Sequence, residues 1–391
     1  MPYLDHAATT PLREEALEAM LPFLRDQYGN PSSVHGPGRR ARVAVERARE
    51  CVAAVLGAEP GEVVFTSGGT EADNAAIRGA LTGAALRETG RPGLVTSAVE
   101  HEAVLQTAEA LHEAGHPVAV LAPDAEGRLE PEAVAAAVTE ETGLVSAMLV
   151  NNEVGTVNPV AEIAAVARAR GARVHTDAVQ AAGLLPLGVD ALGVDLLSLS
   201  AHKVGGPKGA GALYVRAGTP FAPSQTGGAQ ERRRRGGTEN VAAIVGFAEA
   251  LALAEAEREG HAARLRTLRA DLADRVRQRF GDGVRVNTPA DQAAPHVLNV
   301  SFRPGAAGPL DGEMLLVGLD LEGVHVSAGS ACTSGALEPS HVLLALGVDR
   351  ETAGATVRFS LGRGTTPEDV EAAAAALERV VGRMGGATVS A

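Results

Sequence analysis

Tryptophan is absent from this chain of 391 residues, tyrosine occurs three times and phenylalanine seven. Its core must therefore be mostly aliphatic. Two cysteines, Cys51 and Cys332, make neither a disulfide framework nor a closed metal site by themselves. The longest apolar tract, Val241 to Ala256, is interrupted by Glu249 and Glu255 and falls short of the roughly 20 residues that span a bilayer. The first residues, Met1 to His6, lack the apolar stretch of a signal peptide, so a cytoplasmic protein without a membrane segment is expected. A net charge of −13 disfavours direct nucleic-acid binding, and the only dense basic run is Arg232 to Arg235. Lysine is the rarest cation. Of 35 basic residues only Lys203 and Lys208 are lysines, and both lie in one hexapeptide. Guanidinium does not deprotonate in proteins, so a primary amine is something the arginines cannot supply.

What is present is an ordinary globular composition, 45% hydrophobic and 21% charged, which excludes a disordered or fibrous chain. The first 250 residues alternate strand-like and helix-like stretches. Helices are expected at Arg39–Leu56, Glu71–Leu86, His101–Ala114 and Ala161–Arg170. Strands are expected at Glu62–Thr66, Gly93–Ala98, Val118–Leu121, Gly143–Val150, Ala172–Asp177, Asp195–Ser200 and Gly211–Val215. That alternation predicts an α/β domain with a mostly parallel sheet. A long helix over about Asn240–Phe280 follows. Strands at Pro295–Phe302, Gly323–Val326 and Ala355–Phe359, with helices at Leu310–Leu319, Pro339–Leu346 and Pro367–Val381, predict a smaller α+β domain. We place the large domain at 15–250 and the small one at 1–14 with 251–391.

Several segments at strand exits carry chemistry. Thr66-Ser67-Gly68-Gly69-Thr70-Glu71 follows a strand and opens a helix, where free amides favour an anion; the alternative is a plain helix cap at Thr70. Ser200-Ala201-His202-Lys203 presents the amine at a strand exit, suited to Schiff-base chemistry with an aldehyde cofactor, although loop lysines are usually only solvated. Asp177 ends a strand and can keep a pyridinium nitrogen protonated, with Gln180 in reach of a ring oxygen; a helix-capping aspartate is the alternative. Asn152 and His101 occupy comparable exits, His101 as a candidate to lie on a flat ring; Asn is also a turn residue and a lone His is more often structural. Cys332 lies in a run of small residues, Val326 to Ala336, as either a travelling nucleophile or a small apolar side chain. Cys51 fits the apolar description. Arg358, within an apolar strand, needs an anionic partner: a substrate carboxylate or an internal Asp or Glu.

Taken in order, these segments resemble the cysteine desulfurases of the class-V aminotransferase family, in the iron–sulfur-cluster group. The resemblance runs nearly end to end. It includes Tyr3-Leu4-Asp5-His6-Ala7-Ala8-Thr9-Thr10-Pro11, Gly29-Asn30-Pro31-Ser32-Ser33, Asn151-Asn152-Glu153-Val154-Gly155, Gly206-Pro207-Lys208-Gly209, Gly237-Thr238 and Ser330 to Ser340. It implies a homodimer with pyridoxal 5′-phosphate on the fold-type-I large domain of such aminotransferases. Lys203 would be the Schiff-base lysine, with His101 on the ring, Asp177 at the pyridine nitrogen and Gln180 at the phenolic oxygen. Thr70, Ser200 and His202 would bind phosphate with Gly69 in the same turn, and Thr238 would reach the other subunit's phosphate. Asn152 and Arg358 would hold the L-cysteine carboxylate, and Cys332 would take the sulfur and pass it to an iron–sulfur scaffold or a tRNA-thiolation protein. A selenocysteine lyase, another class-V aminotransferase and a non-catalytic sulfur carrier are the rival readings. No metal is expected. The arginine run is richer than the resemblance explains, and contact with tRNA or an acidic partner stands beside a solvated loop.

Overall fold

The computed structural model describes residues 1–305, 308–329 and 338–385. Seven strands form the larger sheet: β1 (Val63–Thr66), β2 (Gly93–Ser97), β3 (Val118–Leu121), β4 (Thr142–Ser146), β5 (Arg173–Asp177), β6 (Leu196–Ser200) and β7 (Gly211–Val215). Their spatial order is β1-β7-β6-β5-β4-β2-β3. Neighbours from β6 to β3 are parallel, whereas β7 is antiparallel to both β6 and β1. The reason is connection length. The segment from 201 to 210 is too short for a crossover helix, so the chain must turn back. All residues of β2, β4, β6 and β7 are buried, as expected when helices cover both faces of a sheet. The carboxyl ends of β2, β4, β5 and β6 therefore open on one edge, where parallel sheets place ligands.

A second sheet is antiparallel, in the order β10-β9-β8, from β8 (Val284–Val286), β9 (Val297–Phe302) and β10 (Thr356–Ser360). It has its own core, with Leu272, Phe280, Phe302, Leu315, Phe359 and Leu377. The amino-terminal segment joins this body: Tyr3 bridges His325 and Asp5 bridges Ser360. The 40-residue helix Val241–Phe280 enters both cores, through Phe247 and Leu251 in one and Leu265 and Leu272 in the other.

The α/β reading with a mostly parallel sheet holds. Three details differ. The expected helix Glu71–Leu86 is two, Gly69–Leu81 and Gly83–Thr89. The break falls where Thr82 turns extended and Gly83 takes a positive φ of 56°. The expected strand Gly323–Val326 makes only isolated bridges, His325 to Tyr3 and Ser327 to Arg358. The helices Glu14–Arg25 and Pro131–Ala137 and the strand β8 were not singled out by the sequence pattern.

Candidate active site

A cavity of about 450 Å³ lies at the carboxyl edge of the large sheet. Gly69, Thr70, His101, Asn152, Asp177, Gln180, Ser200, His202, Lys203 and Arg358 all line it. Sequence positions spread over nearly 300 residues meet because each follows a strand of the same edge or, for Arg358, sits in β10. Thr238 does not line it; that residue is exposed on the loop before the long helix. Cys332 lies outside the described residues.

One end of the cavity is built to meet an anion. The helix Gly69–Leu81 has Gly68, not Thr70, at its N-cap, and no side chain caps it. Its first amides and positive dipole end are left to the cavity. Backbone packs tightly here: a Cβ at Gly211 would lie 2.6 Å from the Leu199 carbonyl oxygen and 2.8 Å from the Gly68 Cα. Ser200 is buried beside this turn. The His202 Nδ1 is 3.1 Å from the Thr9 hydroxyl. Burial, then the nearby Lys203 and Lys208 charges, bring His202 down to about 4, so it is neutral near pH 7. Glu71 accepts from the Ser67 amide at 2.8 Å and from Arg235 at 2.9 Å, which ties the arginine-rich loop to the anion-binding turn.

The other end holds the amine and the carboxylates. The Lys203 Nζ donates to the carbonyls of Ala7 and, at 2.8 Å, Ala8. Burial, then the Arg358 charge, push it down to about 8, so roughly a tenth of the amine is neutral at pH 7. Asp177 closes β5; its Oδ1 accepts the Val179 amide at 2.8 Å. Burial raises its pKa, and His101 and Lys203 oppose that rise. Gln180 donates to the Ala7 carbonyl at 2.9 Å. The His101 Nδ1 accepts the Ala103 amide at 3.1 Å, so in the neutral ring the proton sits on Nε2. The imidazole is thus both a helix cap and a cavity wall.

Arg358 has the internal partner that the sequence allowed: it donates to Asp5 at 2.8 Å and to the Asn152 carbonyl at 3.0 Å. Its buried Nε has no partner among the described residues. The neighbouring Asn151 is structural, accepting the Glu153 and Val154 amides through its side chain. A larger cavity of about 640 Å³ shares Val179, Gln180 and Lys203 with the first. Its imidazoles, His6, His261 and His296, are all lowered by burial, and its charge comes instead from Arg13, Glu14, Arg363 and Asp369 beside Lys203. Among the described residues no cluster suits a metal ion, and no helix is long and apolar enough to cross a membrane.

Sequence reasoning missed two kinds of contributor. The Ala7 and Ala8 carbonyls that hold the amine are backbone groups and leave no mark in residue types. Asp73 also lines the cavity. Its signal was present: it lies three and four residues after Thr70 and Gly69, on the same helical face.

The family model described as "Aminotransferase class-V" matches residues 2–373. The chain belongs to the class-V aminotransferase family. Its cofactor is pyridoxal 5′-phosphate, and the residues fit that group: an uncapped helix end for phosphate, a buried amine at a strand exit and a carboxylate at the opposite side of one cavity. Among similar proteins, the "Cysteine desulfurase IscS" of Dictyoglomus turgidum is 47% identical over 382 residues, covering 98% of this chain and 95% of that protein. The "Putative cysteine desulfurase IscS 1" of Bacillus subtilis is 46% identical, covering 98% and 99%. A solved structure titled "NIFS-LIKE PROTEIN" superposes with a TM-score of 0.89 at 37% identity, covering 98% of this chain and 99% of that one.

Proposed function

We propose that this protein is a cysteine desulfurase that converts L-cysteine to L-alanine and leaves the sulfur as a persulfide on Cys332. The observation that carries the reading is Lys203. One of only two lysines is buried at a strand exit, pushed down to about 8, in a cavity with an anion-binding helix end and Asp177. Full-length likeness to proteins named cysteine desulfurases supplies the substrate.

Pyridoxal phosphate, when bound, supplies an aldehyde for amines and a ring that accepts electrons from the substrate α-carbon. The Gly69 and Thr70 turn, Ser200 and neutral His202 would hold its phosphate, Thr238 from the second subunit of a homodimer would complete that cradle, and Gln180 would meet its phenolic oxygen. Asp177 would hold a proton on the ring nitrogen, and His101 would cover the ring face. Asn152 and Arg358 would orient the substrate carboxylate, through the face of the guanidinium that Asp5 leaves free. Lys203 would take the α-proton. The Cys332 thiolate then bonds to the substrate sulfur. The substrate's carbon–sulfur bond would break with its electron pair left on the β-carbon, which takes a proton, and return of the α-proton by Lys203 would complete alanine. The persulfide is consumed by an acceptor protein of iron–sulfur assembly or tRNA thiolation, in a cytoplasmic setting.

Incubation with L-cysteine and dithiothreitol, with sulfide and alanine measured together, tests this. Equal amounts are expected from the wild type. Lys203→Ala should lose both the cofactor's Schiff-base absorbance and turnover, whereas Cys332→Ala should stay yellow and release neither product. Pyruvate in place of alanine, or full sulfide release by Cys332→Ala, would overturn the assignment.

A further inference from the structure

The mechanism above uses one carboxylate beneath the cofactor, yet the fold places a second there. Asp73, on the first turns of the helix Gly69–Leu81, is 1% exposed and lines the same cavity as Asp177. The sheet face opposite it is polar in an ordered way. His175 and Asp177 are two residues apart on β5 and share a face. In register with them, Ser146 pairs His175 from β4 and Ser198 pairs Asp177 from β6. These side chains form a chain. The Ser146 hydroxyl is 2.8 Å from His175 Nδ1, His175 Nε2 is 3.0 Å from the Ser198 hydroxyl, and the same nitrogen is 3.6 Å from Asp73 Oδ1. Burial lowers His175 to about 3, so no imidazolium is present to balance Asp73. Asp73 itself is raised well above the usual carboxylate range, by burial first and by Asp177 next. Glu100, three residues beyond β2, adds to the repulsion; it too is buried and raised, with one oxygen on the Met148 amide at 2.9 Å and the other without a partner among the described residues.

Two carboxyls lining one dry cavity disfavour double ionisation, so one of them keeps a proton. Which one holds it is decided by what each faces. Asp177 accepts an amide and faces His101 and Lys203, all of which favour the anion. Among the described residues the Asp73 Oδ1 is buried with no hydrogen-bond partner, its charged neighbours are acidic, and the Ser198 hydroxyl alone favours its anion. We propose that Asp73 is a positioning residue that keeps the proton of this pair, so that Asp177 alone carries negative charge toward the cofactor's ring nitrogen. The polar chain through Ser198, His175 and Ser146 then holds a neutral Asp73 in place rather than compensating a charge.

This inference rests on the pyridoxal-phosphate reading, and its test uses the holoenzyme. The readouts are cofactor affinity and the pH titration of the Schiff-base absorbance, compared for wild type, Asp73→Asn and Asp73→Leu. Asparagine keeps the shape and neutrality, so its midpoint should stay within about half a unit of wild type. Leucine removes the donor and should weaken cofactor binding roughly tenfold or more, with asparagine restoring it. The infrared spectrum of the wild-type holoenzyme should show a protonated-carboxyl band that Asp73→Asn lacks; this readout stands even if the leucine variant does not fold. A fall of one unit or more in the Asp73→Asn midpoint would mean a charge had been removed and would overturn the proposal. So would a missing infrared band, or leucine binding the cofactor like wild type. A wild type without the Schiff-base absorbance would sink both this inference and the broader reading, whereas a normal wild type with an altered Asp73→Asn midpoint sinks this inference alone.

Discussion

Glu231→Gln should do more damage than its chemical modesty suggests. Glu231 lies in the loop before the long helix and starts three consecutive non-glycine residues with positive φ: 46° at Glu231, 56° at Arg232 and 65° at Arg233. Each such residue costs roughly 1–3 kcal/mol and persists only where its surroundings enforce it. Here the enforcement is a buried ion pair. Arg49 and Glu231, 3% and 2% exposed, meet at 2.6 and 2.8 Å, and Glu231 also accepts the Phe65 amide at 2.9 Å. A glutamine would turn an amide group toward one of these donors and leave the guanidinium uncompensated. Removing one partner of a buried pair costs about 3–5 kcal/mol. Part of that can be recovered if the turn unwinds and releases its strain. The expectation is therefore a lower urea midpoint, faster trypsin cleavage within Arg232–Arg235, or both. An unchanged midpoint with unchanged cleavage would refute the claim that this ion pair holds the turn.

Two further outcomes follow from the site. With Lys203 pushed down to about 8, the rate at which the apoenzyme captures pyridoxal phosphate should rise with pH below about 8 and level off above it; a rise continuing toward pH 10 would contradict the lowered value. Gly211→Ala places a Cβ against the Leu199 carbonyl and the Gly68 backbone, so equilibrium dialysis should show cofactor affinity falling about 5- to 150-fold, from the roughly 1–3 kcal/mol of overpacking in a tight site; affinity like wild type would mean the turn gives way freely.

Much of the site was legible because parallel sheets put chemistry at strand exits. His101, Asn152, Asp177 and Lys203 each follow an apolar run that could be read as a strand, and the rarity of lysine pointed to Lys203. What stayed hidden depends on tertiary contact. The Arg358 partner, Asp5, is 353 residues away, and no local pattern distinguishes it from a substrate. Asp73 reads as a surface acid within Thr70-Glu71-Ala72-Asp73-Asn74 until the helix is laid on the sheet. The arginine run resolves partly into local pairing: Arg232 meets Glu46 at 3.3 Å and Arg235 meets Glu71 at 2.9 Å. The strain in that loop could not be read from composition, since arginine gives no sign of positive φ.

The helix Val241–Phe280 is a shaft about 60 Å long at 1.5 Å per residue, with one end set in each core. Relative tilting of the two sheets must flex it. Between the last anchor in the first core, Ala254, and the first in the second, Leu265, its only glycine is Gly260. Nothing lies within 4 Å of where a Cβ would sit there, so packing does not demand glycine, and a helix is weakest where a glycine interrupts it. The width of the catalytic cleft is thus tied to the elasticity of a single turn of helix, and exchanging Gly260 for alanine would stiffen the whole enzyme without touching either core.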